Sequence, residues 1–305
     1  RVHVYQGRGL SAADDDGLAD PYVKASCAGE WAKRDPAAKL DPTGGSKLDQ
    51  TTVVPGTVNP QWYETLYFRG PSALKGLPRP NQKDEKDENG NLKTRCIWPR
   101  LTLHVFDKDD WGKDDFLGRV SVSLDDIKDH MYRCTTPRWF KVLRANAMVP
   151  VGELLCSFQL IPLAVSSDEE LRKLSRVDLR QHCQRAKLHI ESFPTPELWD
   201  RQLMVDEIRA QVLDQKIVMP NAKECTVEVL VLGCRDLSGD AKSPFVEVDI
   251  GDPANKGMKV QSKPSRLPDT ANPNFGEVLK LNIRLPEDPL FVPTVSVRVK
   301  DRTRS

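Results

Sequence analysis

The chain has 305 residues, of which 39% are hydrophobic and 29% are charged, and its formal net charge at pH 7 is +1. These values are ordinary for a soluble globular protein, and such a small net charge argues against a general binder of polyanions such as nucleic acid. The seven Cys form no CxxC pair and the sequence has no N-x-S/T sequon, which favours reduced thiols in the cytosol over a disulfide-stabilised secreted fold.

The first half of the chain is predicted to be β structure. Short runs rich in β-branched and aromatic residues, such as VHVYQ, WYETLYF and FLGRVSVSL, are separated by turn residues. In RLTLHVF the apolar Leu101, Leu103 and Val105 alternate with the polar Thr102 and His104, so one face of this strand is expected to be buried. Many short strands without long helices predict an antiparallel β-sandwich.

Three stretches interrupt this pattern. Residues 28–50 and 70–95 are rich in Gly, Pro and charge, and they are expected to be mobile surface loops. Residues 164–222 are expected to be a partly helical linker. Within it, SSDEELRKLSRVDLRQHCQRA starts with N-cap-like polar residues and has acids before bases, as a helix would, and PELWDRQLMVDEIRAQVLDQ predicts a second helix.

After the linker the β pattern returns, and it repeats the first half. TVNPQWYETLYF (57–68) matches TANPNFGEVLKL (270–281) at Thr, Asn, Pro, Glu and Leu, and ADPYVKA and LHVFDKD match KSPFVEV and VRVKDRT in the same order. Two copies of one fold are therefore predicted, the second lacking its final strands. The predicted fold class is all-β, with two antiparallel sandwiches at 1–163 and 223–305 joined by the linker at 164–222.

The ends of the chain indicate that it is a segment of a longer protein. The sequence begins RVHVY, with neither a Met nor an apolar signal region. It contains no run of about eighteen apolar residues, the length needed to span a bilayer. Any membrane anchor, such as a C-terminal tail anchor, is therefore expected outside this segment.

The most acidic stretch, VFDKDDWGKDDFLG, raises the question of what offsets its repulsion. Asp107 and Asp109 are two positions apart at the end of a strand, and a period of two puts both side chains on one face. Asp115 begins the returning strand. Asp110 and Asp114 remain alternatives to one of these three.

A second acidic stretch, SAADDDGLADPYVK, contains Asp14 and Asp20. Gly17 lets the loop turn back, and Pro21 favours an extended entry into the next strand. If the two acidic loops meet at one edge of the sandwich, five carboxylates share a small volume and repel one another.

A divalent cation would offset that repulsion. Ca2+ accepts roughly six to eight oxygen ligands in irregular geometry, so these Asp side chains with backbone carbonyls suit about two Ca2+ ions. Zn2+ is disfavoured because neither loop contains His or Cys, and Mg2+ prefers fewer protein ligands. An EF-hand is excluded because Trp111 and Gly118 stand where that motif requires ligands. A solvated acidic turn is the alternative for either loop alone.

The acidic stretches and the motif between them resemble a known family. The stretches LSAADDDGLADPYVK, TVNPQW and VFDKDDWGKDDFLGR make residues 1–162 resemble a C2 domain. The resemblance implies an eight-stranded sandwich that binds Ca2+ between loops at one end. The implied Ca2+ ligands are Asp14, Asp20, Asp107, Asp109 and Asp115.

The chain is also similar to the ferlins. GELLCSFQLI resembles the end of an internal ferlin C2 domain, and IVMPNAKECTVEVLVLGCRDL, NPNF and LPEDPLFVPTVSVRVKDR resemble the next one. This likeness implies a Ca2+-dependent module of a tail-anchored protein that binds anionic phospholipid on the cytoplasmic side of a vesicle or the plasma membrane. The implied roles are vesicle fusion, exocytosis or membrane repair, with fusion-machinery proteins as partners and no nucleic acid or small-molecule substrate.

The second copy departs from the Ca2+-binding pattern. Ser243 stands where the first copy has Asp20, and Thr303 stands where it has Asp109. Asp301, which corresponds to Asp107, is the acid that remains in the stretch matching VFDKDDWGKDDFLG. One carboxylate makes a poor Ca2+ site. The second copy is therefore predicted to be a metal-free structural or interaction module.

Membrane contact is predicted at the tip of the acidic loop between Asp107 and Asp115. Trp111 is expected to insert at the headgroup boundary, where an indole buries its body and keeps its N–H wet. The alternative is a ring folded back onto the sandwich. Lys108 and Lys113 are expected to touch lipid phosphates, or else to pair with neighbouring Asp.

Two other functions stay open at this stage. One is a Ca2+-independent protein-interaction scaffold, and the other is the regulatory C2 region of a lipid-modifying enzyme whose catalytic domain lies outside this chain. The chain itself is not predicted to be an enzyme, because it contains no GxSxG, HExxH, P-loop or GxGxxG motif.

Overall fold

The computed structural model describes most of the chain. The described residues are 1–12, 14, 17–34, 49–68, 98–109, 111–144, 149–189, 196–238, 241–250 and 259–302. They divide into two compact units. The first comprises Arg1–Tyr5, Gly9–Val58 and Trp62–Val218. The second comprises Gln6–Arg8, Asn59–Gln61 and Met219–Ser305.

Nine strands build the first sandwich, which confirms the predicted antiparallel β class. They are β1 (Val2–Arg8), β2 (Pro21–Cys27), β3 (Glu30–Trp31), β4 (Lys33–Arg34), β5 (Gln61–Tyr67), β6 (Arg100–Asp107), β7 (Asp115–Ser123), β8 (Arg138–Leu143) and β9 (Pro150–Phe158). Hydrogen-bonded neighbours follow the order β3-β2-β6-β7-β8-β9-β1-β5-β4.

The core of this sandwich lies between β3-β2-β6-β7 and β8-β9-β1-β5-β4. Leu101, Leu103 and Val105 of β6 are buried, whereas Thr102 and His104 are only partly buried, as the alternation in the sequence predicts. The inward side chains of both layers join one hydrophobic cluster. A two-layer sandwich follows, because each layer buries its apolar face against the other.

The two layers are joined where β7 meets β8. Arg119 of β7 pairs there with Leu143 of β8. Gly118 precedes this pair, and a Cβ at that position would lie 2.7 Å from Cγ1 of Val142 and 3.0 Å from Cγ2 of Val151. Only glycine therefore fits this close approach.

Two short strands lie in the stretch expected to be a mobile loop, so that expectation was wrong for part of it. β3 pairs with the end of β2 through a turn at Ala28 and Gly29, whose φ angles of 50° and 84° suit a two-residue hairpin. β4 pairs with β5, where buried Arg34 contacts Glu64 at 3.5 Å. Residues 35–48 of that stretch and all of the second predicted loop, residues 70–95, lie outside the described residues.

Three short helices follow β9, where the sequence predicts one helix and then another. They are α1 (Asp168–Lys173), α2 (Arg176–Ala186) and α3 (Arg201–Ile208), and a π-helical turn (Arg209–Leu213) extends α3. The first predicted helix is broken because Ser175 caps a new one by accepting the N–H of Asp178. These helices bury Trp199 in a hydrophobic cluster that includes Tyr132 of the first sandwich. The predicted boundaries of the linker remain a prediction.

Shorter helical turns complete the described secondary structure. Turns of 3-10 helix lie at Leu124–His130, Leu163–Val165, Pro196–Leu198 and Pro289–Phe291.

The second unit contains five strands in two sheets. They are β10 (Ala222–Gly233), β11 (Pro244–Ile250), β12 (Lys259–Gln261), β13 (Asn274–Pro286) and β14 (Val295–Asp301). One sheet has the order β10-β13 and the other β12-β11-β14. Their inward side chains form one hydrophobic cluster that includes Val246, Val248, Leu281 and Ile283.

The two copies share individual contacts as well as strands. In the first, the N–H of Val23 donates to Thr51 Oγ1 at 2.9 Å and the N–H of Thr52 donates to Glu64 Oε2 at 3.1 Å. The equivalent bonds in the second join Val246 to Ser262 Oγ at 2.9 Å and Lys263 to Glu277 Oε2 at 3.1 Å. Matching side chains thus tie matching strands in both copies, as an internal repeat requires.

Candidate metal centre and its acidic loops

The two acidic stretches lie at one end of the first sandwich. The register of β2, β6 and β7 places Pro21 opposite Asp107, and Asp107 opposite Asp115. Asp20 immediately precedes β2. Since β2 begins where β6 ends, loops distant in the sequence are brought to the same sheet edge.

Asp20 and Asp107 are in direct contact. The backbone N–H of Asp20 donates to Oδ1 of Asp107 at 2.6 Å. In return, the N–H of Lys108 donates to the carbonyl of Asp20 at 3.1 Å. Oδ1 of Asp20 accepts the N–H of Gly56 at 2.6 Å, which ties a third loop to the same end. Among the described residues, no hydrogen bond is seen to the second carboxylate oxygen of Asp20.

Asp107 is the most constrained carboxylate of this group. It is fully buried, and no described residue donates a hydrogen bond to its second oxygen, Oδ2. Burial raises the pKa of Asp107, and the N–H of Asp20 opposes that rise. The nearby charges of Asp14, Asp20 and Asp109 raise this pKa further. A buried acceptor without a donor is costly, and a cation is the partner that satisfies both the oxygen and the surrounding charge.

The remaining predicted ligands surround this pair less tightly. Asp14 is exposed in a turn closed by the N–H of Gly17, which donates to the carbonyl of Asp14 at 3.0 Å. Asp109 is partly buried, and Asp115 is exposed at the start of β7. Asp15, Asp16 and Asp110 lie outside the described residues.

The carboxylates do not form a compact ligand cluster in this conformation. Within the described ranges, no group of three or more His, Cys, Asp or Glu side chains is placed to hold a metal ion. The structure therefore brings Asp20 and Asp107 into contact and Asp14 and Asp109 within electrostatic reach, but not into one coordination sphere. The donor set is all oxygen, which fits Ca2+ better than Zn2+.

Asp114 has a role that sequence reasoning did not find. It accepts the hydroxyl of Tyr22 at 2.6 Å and Nζ of Lys108 at 2.7 Å. Burial alone would raise the pKa of Asp114, but these hydrogen bonds outweigh burial and lower it. Its oxygens are therefore committed to the loop, so Asp114 is a poor substitute for a predicted metal ligand.

The predicted membrane-contacting residues differ in their surroundings. The side chain of Trp111 is 93% exposed, so its ring does not fold back onto the sandwich. Lys113 is also exposed. Lys108, by contrast, pairs with Asp114 and donates to the carbonyl of Asp109 at 2.6 Å. Of the two lysines predicted to touch phosphate, only Lys113 is seen without such a contact among the described residues.

The corresponding end of the second copy is arranged differently. Oδ2 and Oδ1 of Asp301 accept the N–H groups of Lys242 and Ser243, at 2.7 Å and 3.0 Å. Both oxygens of Asp301 are thus used by the backbone, whereas Asp107 uses one and keeps the other. Thr303 lies outside the described residues.

A Cys–His contact elsewhere in the first unit was considered as a nucleophilic thiol within this chain. Sγ of Cys134 lies 3.2 Å from Nε2 of His3. Burial raises the pKa of Cys134 and lowers the pKa of His3 to about 4. A nucleophilic thiol needs the opposite shifts, so this contact is a neutral hydrogen bond.

Two antiparallel sandwiches with shared contacts, the first ending in acidic loops, are typical of C2 domains. The family model described as "C2 domain" matches residues 1–80, 99–142 and 225–305. The chain therefore belongs to the C2 domain family.

Curated relatives refine this assignment to a ferlin-like C2 region. The chain is 25% identical over 309 residues to Fer-1-like protein 4 of Mus musculus, an alignment that covers 99% of this chain and 13% of that protein. It is 26% identical over 310 residues to myoferlin of Homo sapiens, covering 99% of this chain and 12% of that protein. The chain thus spans about an eighth of the length of these relatives.

The chain is also similar to solved structures of C2 domains. A single C2 domain of plant extended synaptotagmin 1 has a TM-score of 0.32 at 18% identity and covers 52% of this chain and 89% of that one. The tandem C2 domains of extended synaptotagmin 2 have a TM-score of 0.30 at 17% identity, covering 99% of this chain and 74% of that one.

Among the described residues, no helix is both long and apolar enough to cross a bilayer.

Proposed function

We propose that the first C2 copy is a Ca2+-dependent phospholipid-binding module of a ferlin-like protein that acts in vesicle fusion, exocytosis or membrane repair. The observation that carries the proposal is the buried carboxylate of Asp107. One of its oxygens accepts the N–H of Asp20, in the loop before β2, and the other is buried without a described donor. The C2 membership and the ferlin relatives support the same function.

The proposed Ca2+ ligands come from both acidic loops. They are Asp14, Asp20, Asp107, Asp109 and Asp115. Asp20 and Asp107 supply the fixed part of the site because both are held by backbone hydrogen bonds. Asp14, Asp109 and Asp115 lie at loop or strand ends, where small backbone and rotamer changes are enough to bring their oxygens inward.

The charge of these loops makes membrane binding conditional. Without a bound cation, their net negative charge repels the anionic surface of a cytoplasmic leaflet. Bound Ca2+ would reverse the sign of the local potential and accept lipid phosphate or carboxylate oxygens as further ligands. Trp111 and Lys113 then lie beside the contact, the exposed indole supplying apolar area and the ammonium supplying a phosphate partner.

The second copy is proposed to be a metal-free structural or interaction module. Its Asp301 has both oxygens committed to the backbone. Its proposed role is to bind fusion-machinery proteins. We place the module on the cytoplasmic side of a vesicle or the plasma membrane, carried there by a tail anchor outside this segment.

Two alternatives make different predictions. A Ca2+-independent scaffold would bind its partners equally well in chelator. A regulatory region of a lipid-modifying enzyme would share the membrane behaviour, but its activity would reside in a domain beyond this chain. The neutral Cys134–His3 pair gives no support to catalysis within the described part of the first unit.

Cosedimentation with phosphatidylserine liposomes tests the proposed function. The wild-type chain is expected to pellet with liposomes in Ca2+ and to remain in the supernatant in chelator. The double variant Asp107→Asn, Asp109→Asn is expected to stay in the supernatant in both conditions, because it removes two of the five proposed carboxylates. Equal pelleting in Ca2+ and chelator would favour the scaffold.

A further inference from the structure

Three side chains outside the proposed ligand set hold the acidic loop between β6 and β7 in shape. Asp114 accepts hydrogen bonds from Tyr22 and Lys108, which come from two different segments of the chain. Tyr22 lies in β2 and is buried, so its hydroxyl is a fixed point of the sandwich. The ion pair between Lys108 and Asp114 closes the loop on itself, because these residues lie on either side of its tip.

The same contacts hold the backbone of Asp109. Its carbonyl accepts Nζ of Lys108 at 2.6 Å, and that Nζ is also paired with Asp114 at 2.7 Å. The peptide group that follows Asp109 is thus held, and Asp109 is the proposed ligand that lies within the loop, between the strand ends at Asp107 and Asp115. A ligand held in place before the ion arrives loses less conformational entropy on binding.

We propose that Tyr22, Lys108 and Asp114 form a loop clamp that positions Asp109 for Ca2+ and holds Trp111 at the tip. These are positioning residues, since none of them is a proposed Ca2+ ligand. The inference rests on the proposed function as far as Ca2+ affinity is concerned, but the clamp itself is a property of the metal-free loop. Asp114 therefore contributes to the site through hydrogen bonds instead of through coordination.

Tyr22→Phe is the cleanest variant because it removes one hydrogen bond without changing any charge. We expect it to weaken Ca2+ binding, measured by titration calorimetry, by about five- to tenfold, since a hydrogen bond to a carboxylate is lost. Tyr132→Phe is the matched control. Its hydroxyl contacts His182 at 2.7 Å, outside the acidic end, and its Ca2+ affinity should equal that of the wild type.

Lys108→Met separates positioning from simple charge. Coulomb repulsion alone predicts that removing an ammonium near the site tightens Ca2+ binding. The clamp predicts weaker binding, by about threefold, because an ion pair and a bond to Asp109 are lost together. Lys108→Arg should restore most of the wild-type affinity, because it keeps the ion pair. Tighter binding by Lys108→Met would overturn the proposal.

A second readout needs no Ca2+. The chain has six Trp, so 5-fluorotryptophan labelling gives a set of 19F signals in which Trp111→Phe identifies that of Trp111. In chelator, the transverse relaxation rate of the Trp111 signal should fall in Tyr22→Phe and Asp114→Asn, because a released loop moves on the nanosecond timescale. It should stay at the wild-type value in Tyr132→Phe.

The two readouts fail in different ways. If the wild-type chain binds no Ca2+, the proposed function is wrong, while the relaxation rates in chelator still decide whether the clamp exists. If Tyr22→Phe and Asp114→Asn leave the Trp111 relaxation rate unchanged, there is no clamp, whatever the Ca2+ affinity.

Discussion

The carboxylate of Asp107 accepts the backbone N–H of Asp20 at 2.6 Å, across a sequence separation of 87 residues. One oxygen of Asp107 thus joins the two acidic loops, and its other oxygen is left facing the charge that they bring together. In the second copy, Asp301 makes the corresponding bond to Ser243 and uses its remaining oxygen on Lys242. The joining contact is common to both copies, and the spare oxygen is the feature that distinguishes the first.

Trp111→Ala should separate membrane contact from Ca2+ binding. The indole is 93% exposed, so its removal should leave Ca2+ affinity within about twofold. Liposome affinity in Ca2+ should fall about tenfold, because the apolar area of the indole is no longer buried in the headgroup region. Trp31→Ala is the control, since that indole is 48% exposed in β3 instead of at the loop tip. Unchanged liposome affinity of Trp111→Ala would show that the tip does not insert.

Gly118→Ala should destabilise the first sandwich. The added methyl would lie 2.7 Å from Cγ1 of Val142 and 3.2 Å from the carbonyl oxygen of Leu143, so strands at the junction of the two layers must move apart. Overpacking of this kind costs about 1–3 kcal/mol in the free energy of unfolding. Urea unfolding followed by circular dichroism measures it, with the exposed Ser121→Ala on the same strand as a control expected to change by less than about 0.5 kcal/mol. A Gly118→Ala protein as stable as the wild type would refute the close approach.

Glu247 should make the second unit lose stability in acid. This side chain is buried, and burial alone would raise its pKa, but hydrogen bonds from Gln261, Arg298 and Lys300 outweigh burial and lower the pKa from 4.5 to about 2. A lowered pKa means that the folded state favours the ionised form, so the stabilisation is present above pH 4.5 and is lost as the pH falls towards 2.

Comparison of Glu247→Gln with the wild type tests that window. The variant should have a free energy of unfolding lower by about 1–3 kcal/mol at neutral pH. The difference should shrink steadily between pH 4.5 and 2, because the wild-type carboxylate is then also neutralised. A difference that does not depend on pH would mean that the charge of Glu247 is not what Arg298 and Lys300 stabilise.

Local periodicity was enough to predict the longer strands but not the two-residue strands β3 and β4, and the internal repeat was enough to predict two copies. The alternation in β6 identified the buried face, and the matched TxNP segments precede equivalent strands, β5 and β13. These features depend on residues close together in the sequence or on pattern matching between copies. The meeting of Asp20 with Asp107 could be anticipated as soon as both were placed at strand ends.

Features that depend on particular partners across the fold were missed. The break between α1 and α2 follows from the cap at Ser175, whose competition with a continuous helix cannot be judged from composition. Asp114 accepts a hydrogen bond from the hydroxyl of Tyr22, whose sequence pattern indicates only a strand residue. The sequence of neighbouring Asp residues therefore does not show which of their oxygens already accept hydrogen bonds.

Isothermal titration of Ca2+ into the intact chain, Asp107→Asn and Asp301→Asn measures whether the first copy binds the ion and the second does not. We expect saturable Ca2+ binding by the wild type, its loss in Asp107→Asn, and wild-type binding by Asp301→Asn, because Asp107 has an oxygen without a described donor and Asp301 uses both of its oxygens. A wild-type chain without measurable Ca2+ binding at millimolar concentration, or equal loss in both variants, would contradict this expectation.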